Sequence, residues 1–325
     1  MLFQSKADKI TFDAFLSGTP ARDYILQDTP YEEQIARAAE LIQGAEYVLL
    51  GAGAGMSAAA GAEYGGRFFE EHFGEFQEIY GRGPYMRDMY SAGFYPFPDE
   101  ESKWGFWSRL ALTAGADLDV TPLHRTLLNA LAGKKLFLLT TNADAQFEKA
   151  GLPTEQVFAV QGSYSLIQCK RGCHPKTYDA VPLFREMDAA RRKGRIPTGM
   201  VPKCPVCGGD MAMNLRVDDH FVEDAAWHAS ERRFADFLSE AQDKKLVLAE
   251  LGVGFNTPTI IRFPFEKLAR EHESIRLLRL NVGEGAAVPA GLGSRAVGID
   301  ADMAGSITDI AGRCRYREGT VSTPG

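Results

Sequence analysis

Residues 47–61 read Tyr47-Val48-Leu49-Leu50-Gly51-Ala52-Gly53-Ala54-Gly55-Met56-Ser57-Ala58-Ala59-Ala60-Gly61, and the succession of residue types decides the fold. Four large apolar residues bounded by glycine predict a short strand buried on both faces, as in a parallel sheet. The small residues after it fall where a helix is due to start. They let backbone N–H groups approach a pyrophosphate, and a helix N-terminus adds partial positive charge. Gly53-Ala54-Gly55-Met56-Ser57-Ala58 also satisfies the dehydrogenase form G-x-G-x-x-A. A tight strand-to-helix crossing with no ligand would select small residues too.

Upstream, Thr29-Pro30-Tyr31-Glu32 announces a helix, with Thr29 as N-cap, Pro30 at the first helical position and Glu32 closing a capping box. Ile35, Ala38, Leu41 and Ile42 follow at helical spacing. Downstream, apolar runs at 136–139, 157–160, 246–251 and 275–280 predict further buried strands, and 123–131 and 234–241 have helical periodicity between them. Repeated strand–helix units predict an α/β fold on a parallel sheet. The segment 64–109 is crowded with aromatic residues and predicts helices. The segment 167–216 is poor in apolar residues and holds four of the five cysteines, as in a small module held by something other than a core. The division is a discontinuous Rossmann-like domain of 30–63, 110–165 and 217–315, and a smaller domain of 64–109 and 166–216. Neither an internal repeat nor a low-complexity linker is present.

The chain has 325 residues, 45% of them hydrophobic, and a net charge of −7. It is long enough for one large and one small domain, and it lacks the basic field that holds nucleic acid by its phosphates. Residues 1–8 lack the apolar region of a signal peptide, and the uncharged run 47–62 is broken by glycine, so no membrane span is expected. A cytoplasmic location is the expectation. An odd number of cysteines without an export signal favours metal or redox use over disulfides.

The chemistry gathers at few places. Cys169-Lys170-Arg171-Gly172-Cys173 and Pro202-Lys203-Cys204-Pro205-Val206-Cys207-Gly208-Gly209 give two close cysteine pairs, the spacing that supplies four thiolates to a closed, structural zinc. Core or reactive thiols are the alternative. Cys314 reads as a lone thiol, and His174 as a neighbour of an already filled shell. Asn142 and Asp144 follow the strand 136–139, where open α/β sheets bind ligands; helix capping would use the same residue types. Gln161-Gly162-Ser163-Tyr164-Ser165, the stretch 252–258 and Asn281 follow three other strands. Four punctuated strand ends on one sheet edge favour a nucleotide cleft over four unrelated turns. A dehydrogenase is disfavoured, because it needs an acidic residue ending a second strand about twenty residues beyond the loop, whereas 73–80 reads as an aromatic helix.

In this order, from about Glu46 to Ile299, the pieces resemble the sirtuins. Gly53-Ala54-Gly55-Met56-Ser57 with Gly61 is similar to that family's GAG-x-S loop, and Pro122 and His124 to the helix preceding its next motif. Thr141-Asn142-Ala143-Asp144 stands where sirtuins carry T-Q/T-N-x-D. The resemblance implies that Asn142 and Asp144 hold the nicotinamide end of NAD, and that Gly252, Val253 and Gly254 meet the ribose-phosphate. It also implies that Asn281 meets the adenosine ribose and that Cys169, Cys173, Cys204 and Cys207 hold zinc. Ile299 is a further candidate cofactor contact, and Arg67 is a candidate to hold phosphate or ribose, with a surface charge on an aromatic helix as the alternative. Where deacetylating sirtuins have His-Gly, this chain has Gln161-Gly162. An amide orients a ribose by hydrogen bonding but cannot take a proton as histidine does.

That replacement is similar to the macrodomain-linked microbial sirtuins, which act as protein ADP-ribosyltransferases. Gly61-Ala62-Glu63-Tyr64, Lys103-Trp104, Gln168-Cys169 and the stretches 89–95, 213–216 and 251–258 agree with it. The resemblance implies transfer of ADP-ribose from NAD to a protein, with Asn142, Asp144 and Gln161 as the catalytic set. The implied acceptor is a lipoyl-carrier protein like glycine-cleavage H protein, and a macrodomain hydrolase removes the mark. Deacylation is expected to be weak or absent. Ser163 stands where the subclass has an acid, and Ala145 where a bulkier polar residue is common, which implies a different acceptor or weaker transfer. The rival readings are a residual deacylase, an NAD hydrolase and a non-catalytic NAD-binding module.

Overall fold

The computed structural model describes residues 23–254 and 258–318. Strand β1 (Tyr24–Ile25) opens the described chain, followed by helix α1 (Tyr31–Gly44) and strand β2 (Tyr47–Ala52). Helix α1 starts one residue later than expected. Pro30 occupies the N-cap with no side-chain cap, and its carbonyl accepts from the N–H groups of Glu33 and Gln34 at 2.9 and 3.0 Å. Pro30 itself lies outside the helix, with extended ψ of 140°, so Thr29 stands too far out and the expected capping box does not form. Next come α2 (Ala54–Ala59), α3 (Gly66–Tyr80), α4 (Met89–Gly93), α5 (Glu100–Ala111), a π-helical turn at Leu112–Ala116, α6 (Pro122–Ala130), β3 (Lys135–Thr140), α7 (Gln146–Lys149) and β4 (Val157–Ala159). The chain continues through β5 (Gly162–Cys169), β6 (Thr177–Asp179), α8 (Val181–Ala190), β7 (Met211–Leu215), α9 (Ala225–Ala241), β8 (Leu246–Leu251), α10 (Arg262–Glu271), β9 (Arg276–Asn281), β10 (Val288–Pro289), β11 (Ala296–Asp300) and α11 (Met303–Glu318).

Six strands form one parallel sheet in the order β11-β9-β8-β2-β3-β4. The expected strands are all present, and β11, which carries Ile299, is one that periodicity alone did not separate. Every residue of β2 is buried, because helices cover both faces. Val48, Leu50 and Ala52 pack with Ile35, Ala38 and Ile42 of α1, Leu127 of α6 and Ile307 of α11. Tyr47 and Leu49 pack with Phe234 of α9 and Phe265 of α10. Burying each such large side chain contributes roughly 1.5–3 kcal/mol.

The chain begins this sheet at β2 and builds outward through β3 to β4. It then returns to the other flank of β2 with β8. Between β2 and β8 the crossovers therefore run in opposite directions, and a crevice opens beyond the carboxyl ends of these two strands, the position where doubly wound sheets bind ligands.

Two segments inserted between strands of the parallel sheet pack into hydrophobic clusters of their own. Helices α3, α4 and α5 enclose Phe69, Phe73, Phe76 and Phe106, all fully buried, with Phe69 and Phe73 stacked at 5.0 Å. The antiparallel sheet β6-β5-β7 packs with Trp104, Phe184 and Met187. Leu110, Ala111, Leu112 and Ala114 are buried in the same two clusters, and β5, whose first residue is Gly162, runs on from the end of β4 into the three-stranded sheet. None of the described helices is long and apolar enough to cross a membrane.

Candidate active site

At the carboxyl end of β2 the chain turns through Gly53 into α2, and at the end of β8 it turns through Gly252 and Val253. The two turns touch. Gly53 N–H donates to Leu251 O and Gly55 N–H to Gly252 O, both at 3.0 Å. A β-carbon on Gly252 would lie 2.4 Å from the backbone of Gly55 and Met56, and one on Gly55 would lie 2.7 Å from Gly252 Cα. Gly252 also has φ of +60°, which favours a residue without a side chain. These glycines are thus required by loop-on-loop contact, which sets the two turns side by side at the carboxyl ends of β2 and β8. Phe255, Asn256 and Thr257 lie outside the described residues.

Beside these two turns stands the turn after β3. Thr140 Oγ1 donates to Ala52 O at 2.9 Å and accepts from Asn142 N–H at 3.0 Å. Asn142 Nδ2 donates to Gly53 O at 3.0 Å and to Ser57 Oγ at 3.1 Å. Ser57 Oγ donates to Asp144 Oδ2 at 2.6 Å, and Gln146 N–H donates to Asp144 Oδ1 at 3.1 Å. Ser57, Asn142 and Asp144 therefore form one hydrogen-bonded unit linking chain positions 87 residues apart. Asp144 is buried. The residue after it, Ala145, has φ of +54°, a left-handed conformation that costs a non-glycine residue roughly 1–2 kcal/mol. Where the resemblance led one to expect a bulkier side chain, this turn holds a small one in a strained conformation.

Three side chains at this unit were not nominated from the sequence. Burial, reinforced by the Asp144 charge, pushes the Tyr64 hydroxyl up to about 12, while the neighbouring Ser57 opposes the shift. Burial likewise raises Tyr164, with Tyr64, Asp144 and Tyr90 adding to it. His124 of α6 is fully buried; its Nδ1 pairs with Thr121 Oγ1 at 2.8 Å, its Nε2 has no hydrogen-bond partner among the described residues, and burial lowers its pKa against the pull of Asp144. Tyr64, close after the glycine loop in sequence, was the one local hint, and only the packing brings all three toward Asp144. A small cavity beyond Asp144 is bordered by Asn142, Ser163 and Glu148, and burial raises the Glu148 carboxyl.

Gln161 is half-buried at the point where the chain leaves β4 for β5, and its carbonyl accepts from Arg216 N–H at 3.0 Å. Gly162, with φ of +95°, passes so close to Asn214 O that a β-carbon would lie 1.9 Å away. Tyr164 N–H donates to Ala143 O at 3.0 Å, which ties this turn to Asn142 and Asp144. Ser163 Oγ pairs with Ser165 Oγ at 2.8 Å.

Asn281 ends β9 beside the second loop: its Nδ2 donates to Val253 O at 3.0 Å. Gly254 is exposed. Ala54 and Gly61 bracket α2, Gly61 with φ of +93°. Two nominated residues are not drawn into this arrangement. Ile299 is fully buried in the core packed by α1 and α11, because that face of β11 lies under these two helices. The Arg67 side chain is 89% exposed and pairs with Glu71 at 2.6 Å, one turn further along α3.

The four predicted zinc ligands converge in the small domain. Cys169 and Cys207 sulfurs are 3.7 Å apart and those of Cys173 and Cys204 are 3.6 Å apart, and all four lie within 4.8 Å of one another. Sulfurs about 2.3 Å from a tetrahedral zinc stand about 3.8 Å apart, so the set fits such an ion. The Arg171 guanidinium holds the Cys207 thiol down to about 6, whereas desolvation and the neighbouring thiols push Cys173 up to about 12. His174 Nδ1 lies 3.1 Å from Cys173 Sγ, and its Nε2 pairs with Tyr178 Oη at 2.7 Å. Cys314 is buried.

No family model matches the chain. It is similar to a protein ADP-ribosyltransferase of Staphylococcus aureus (strain Mu50), 32% identical over 289 residues that cover 89% of this chain and 90% of that protein. It is also 34% identical over 280 residues to a probable bifunctional ADP-ribose hydrolase/ADP-ribosyltransferase of Fusarium oxysporum f. sp. cubense; these cover 81% of this chain but only 45% of that protein. Among solved structures, a Sir2 homologue in complex with NAD matches with a TM-score of 0.56 at 15% identity, covering 91% of this chain and 99% of that one. A second Sir2 enzyme matches with a TM-score of 0.54 at 18% identity, covering 88% and 99%. At these identities the structural likeness establishes the fold.

Proposed function

The chain belongs to the sirtuin-type protein ADP-ribosyltransferases, and from that premise we propose that it binds NAD in the crevice between β2 and β8 and transfers ADP-ribose to a protein, releasing nicotinamide. The observation that carries the reading is the Ser57–Asn142–Asp144 unit, closed by a 2.6 Å hydrogen bond at the switch point of the sheet. In the proposal, Gly53, Ala54, Gly55, Gly61, Gly252, Val253 and Gly254 shape the phosphate and ribose surface, and Asn281 faces the adenosine half. The bond between nicotinamide and the ribose C1′ breaks, its electron pair leaves with nicotinamide, and positive charge develops at C1′. Asp144 stabilises that charge in a site of low dielectric. Asn142 and Gln161 orient the ribose, and an acceptor nucleophile bonds to C1′ as it gives up its proton.

Deacylation is the weaker reading, because the Gln161 amide cannot take a ribose hydroxyl proton. The acceptor we propose is a lipoyl-carrier protein, with a macrodomain hydrolase reversing the mark. The Fusarium relative, whose name joins both activities in one chain, supports the second part. One structural zinc in the four-cysteine cluster completes the reading; it would brace the small domain and leave the reaction to the crevice. A cytoplasmic setting also belongs to the proposal, supported by cysteines none of which forms a disulfide.

The test is incubation of the purified protein with NAD and a lipoyl-carrier protein, with and without the lipoyl group, following nicotinamide release and carrier mass together. A gain of one ADP-ribose that vanishes in Asn142→Ala and Gln161→Ala is expected. Nicotinamide release with an unmodified carrier would replace the acceptor or make the protein a hydrolase, and no release would make it an NAD-binding module.

A further inference from the structure

Strands β8 and β9 each carry a charged residue in an otherwise apolar run: Glu250 between Ala249 and Leu251, and Arg279 between Leu278 and Leu280. With Arg262 and Glu266 of α10 they form two acid–base pairs, all four side chains fully buried. Arg279 Nη2 donates to Glu250 Oε2 at 2.8 Å and to Glu266 Oε1 at 2.7 Å. Arg262 Nη1 donates to Glu250 Oε1 at 3.1 Å, and Tyr24 Oη donates to Glu266 Oε2 at 2.6 Å. Such a group is expensive to desolvate and stabilises a fold weakly compared with apolar packing, so its place in the molecule calls for another reason.

That reason lies in the remaining donors. Arg262 Nη1 also reaches Gly285 O at 3.0 Å, and its Nη2 reaches Ala287 O at 3.1 Å; Arg279 Nη1 donates to the same Ala287 carbonyl. Val253 O lies 3.5 Å from Arg262 Nη1 and 3.0 Å from Asn281 Nδ2. The two guanidinium groups thus hold, from beneath, the carbonyls of the loop after β8 and of the loop after β9. These are the loops that form one wall of the crevice. A planar guanidinium with five fixed donors suits such multipoint mooring, and an ammonium does not.

We propose that this buried quartet positions the loops 252–254 and 281–287 for the adenosine and ribose-phosphate half of NAD, with Arg262 as the principal positioning residue. The proposal rests on the reading of the crevice as an NAD site. Its action is on binding, since the reacting C1′ is to be held by Asn142, Asp144 and Gln161 on the other wall.

The experiment compares the wild-type protein with Arg262→Lys, with the charge-balanced double variant Glu250→Gln/Arg262→Met, and with Ile310→Ala. The last removes core packing on the opposite face of the sheet and serves as a control for lost stability. NAD binding is measured by equilibrium dialysis, and the KM and kcat of nicotinamide release are measured separately. Both Arg262 variants are expected to weaken NAD binding and raise KM by about ten-fold or more, with kcat at saturating NAD nearly unchanged, and Ile310→Ala is expected to leave KM where it was. A folded double variant with wild-type KM, or a fall in kcat alone, would overturn the inference, as would an equal rise in KM in Ile310→Ala. Wild-type protein that binds NAD without releasing nicotinamide, with binding weakened in the Arg262 variants, would overturn the transferase reading and keep the positioning role; no NAD binding by the wild type would overturn both.

Discussion

Gly252 combines φ of +60° with a backbone contact that leaves no room for a β-carbon. Gly252→Ala is therefore expected to destabilise the protein by roughly 1–3 kcal/mol and to weaken NAD binding by pushing the two loops apart. Chemical denaturation and equilibrium dialysis would check it, and wild-type behaviour in both would show that the loops do not need their contact. His124 invites a different measurement. Burial lowers its pKa below the usual value of 6.5, so just below that value the unfolded chain binds more protons than the folded one. The stabilisation is complete above about 6.5 and is lost as pH falls through it toward the folded pKa. Melting curves of wild type and His124→Gln should accordingly diverge less at acid pH than at neutral pH. If both lose the same stability on acidification, His124 is not held neutral by burial.

At the scale of elements, the zinc-ligand cluster and the sheet β6-β5-β7 depend on each other. Cys169 ends β5, and Cys169 and Cys204 are buried within the cluster of Trp104, Phe184 and Met187. Bound zinc should therefore count directly toward folding of this module. Metal analysis is expected to find one zinc per chain, and Cys204→Ser should lose it together with several kcal/mol of stability, roughly the scale of structural zinc sites. Full zinc content with an unchanged melting temperature in that variant would remove the four-thiolate assignment. The four-cysteine cluster was legible because the spacing of close cysteine pairs is a local property of the chain. Helix α1 was legible in the same way except at its start, where Pro30 takes the cap that Thr29 was expected to supply.

For the whole molecule, the proposed NAD site draws on elements from both flanks of β2, so binding there should stabilise the fold as a unit. NAD at a hundred times its Kd is expected to add about 2.7 kcal/mol, read as a rise in melting temperature that Gly252→Ala reduces. An NAD-independent melting temperature in protein that nonetheless releases nicotinamide would mean that the crevice is not where binding occurs.

The sequence by itself determined the buried strands and the glycine loop, and marked the two cysteine pairs and the candidates Asn142, Asp144 and Gln161. Each is written in spacing or period over a few residues, which the chain carries whatever its tertiary path. The strand order β11-β9-β8-β2-β3-β4 is different in kind. It depends on which way each crossover turns, and it alone brings the end of β2 against the end of β8. The same long-range placement decided that Ser57 meets Asp144, that His124, Tyr64 and Tyr164 face the site, that Arg67 points to solvent and that Ile299 enters the core. It also paired Glu250 and Arg279, charges set between apolar neighbours in β8 and β9, with partners on α10. A charge in a buried strand shows in the sequence that a partner must exist, and only the fold can bring that partner from elsewhere in the chain.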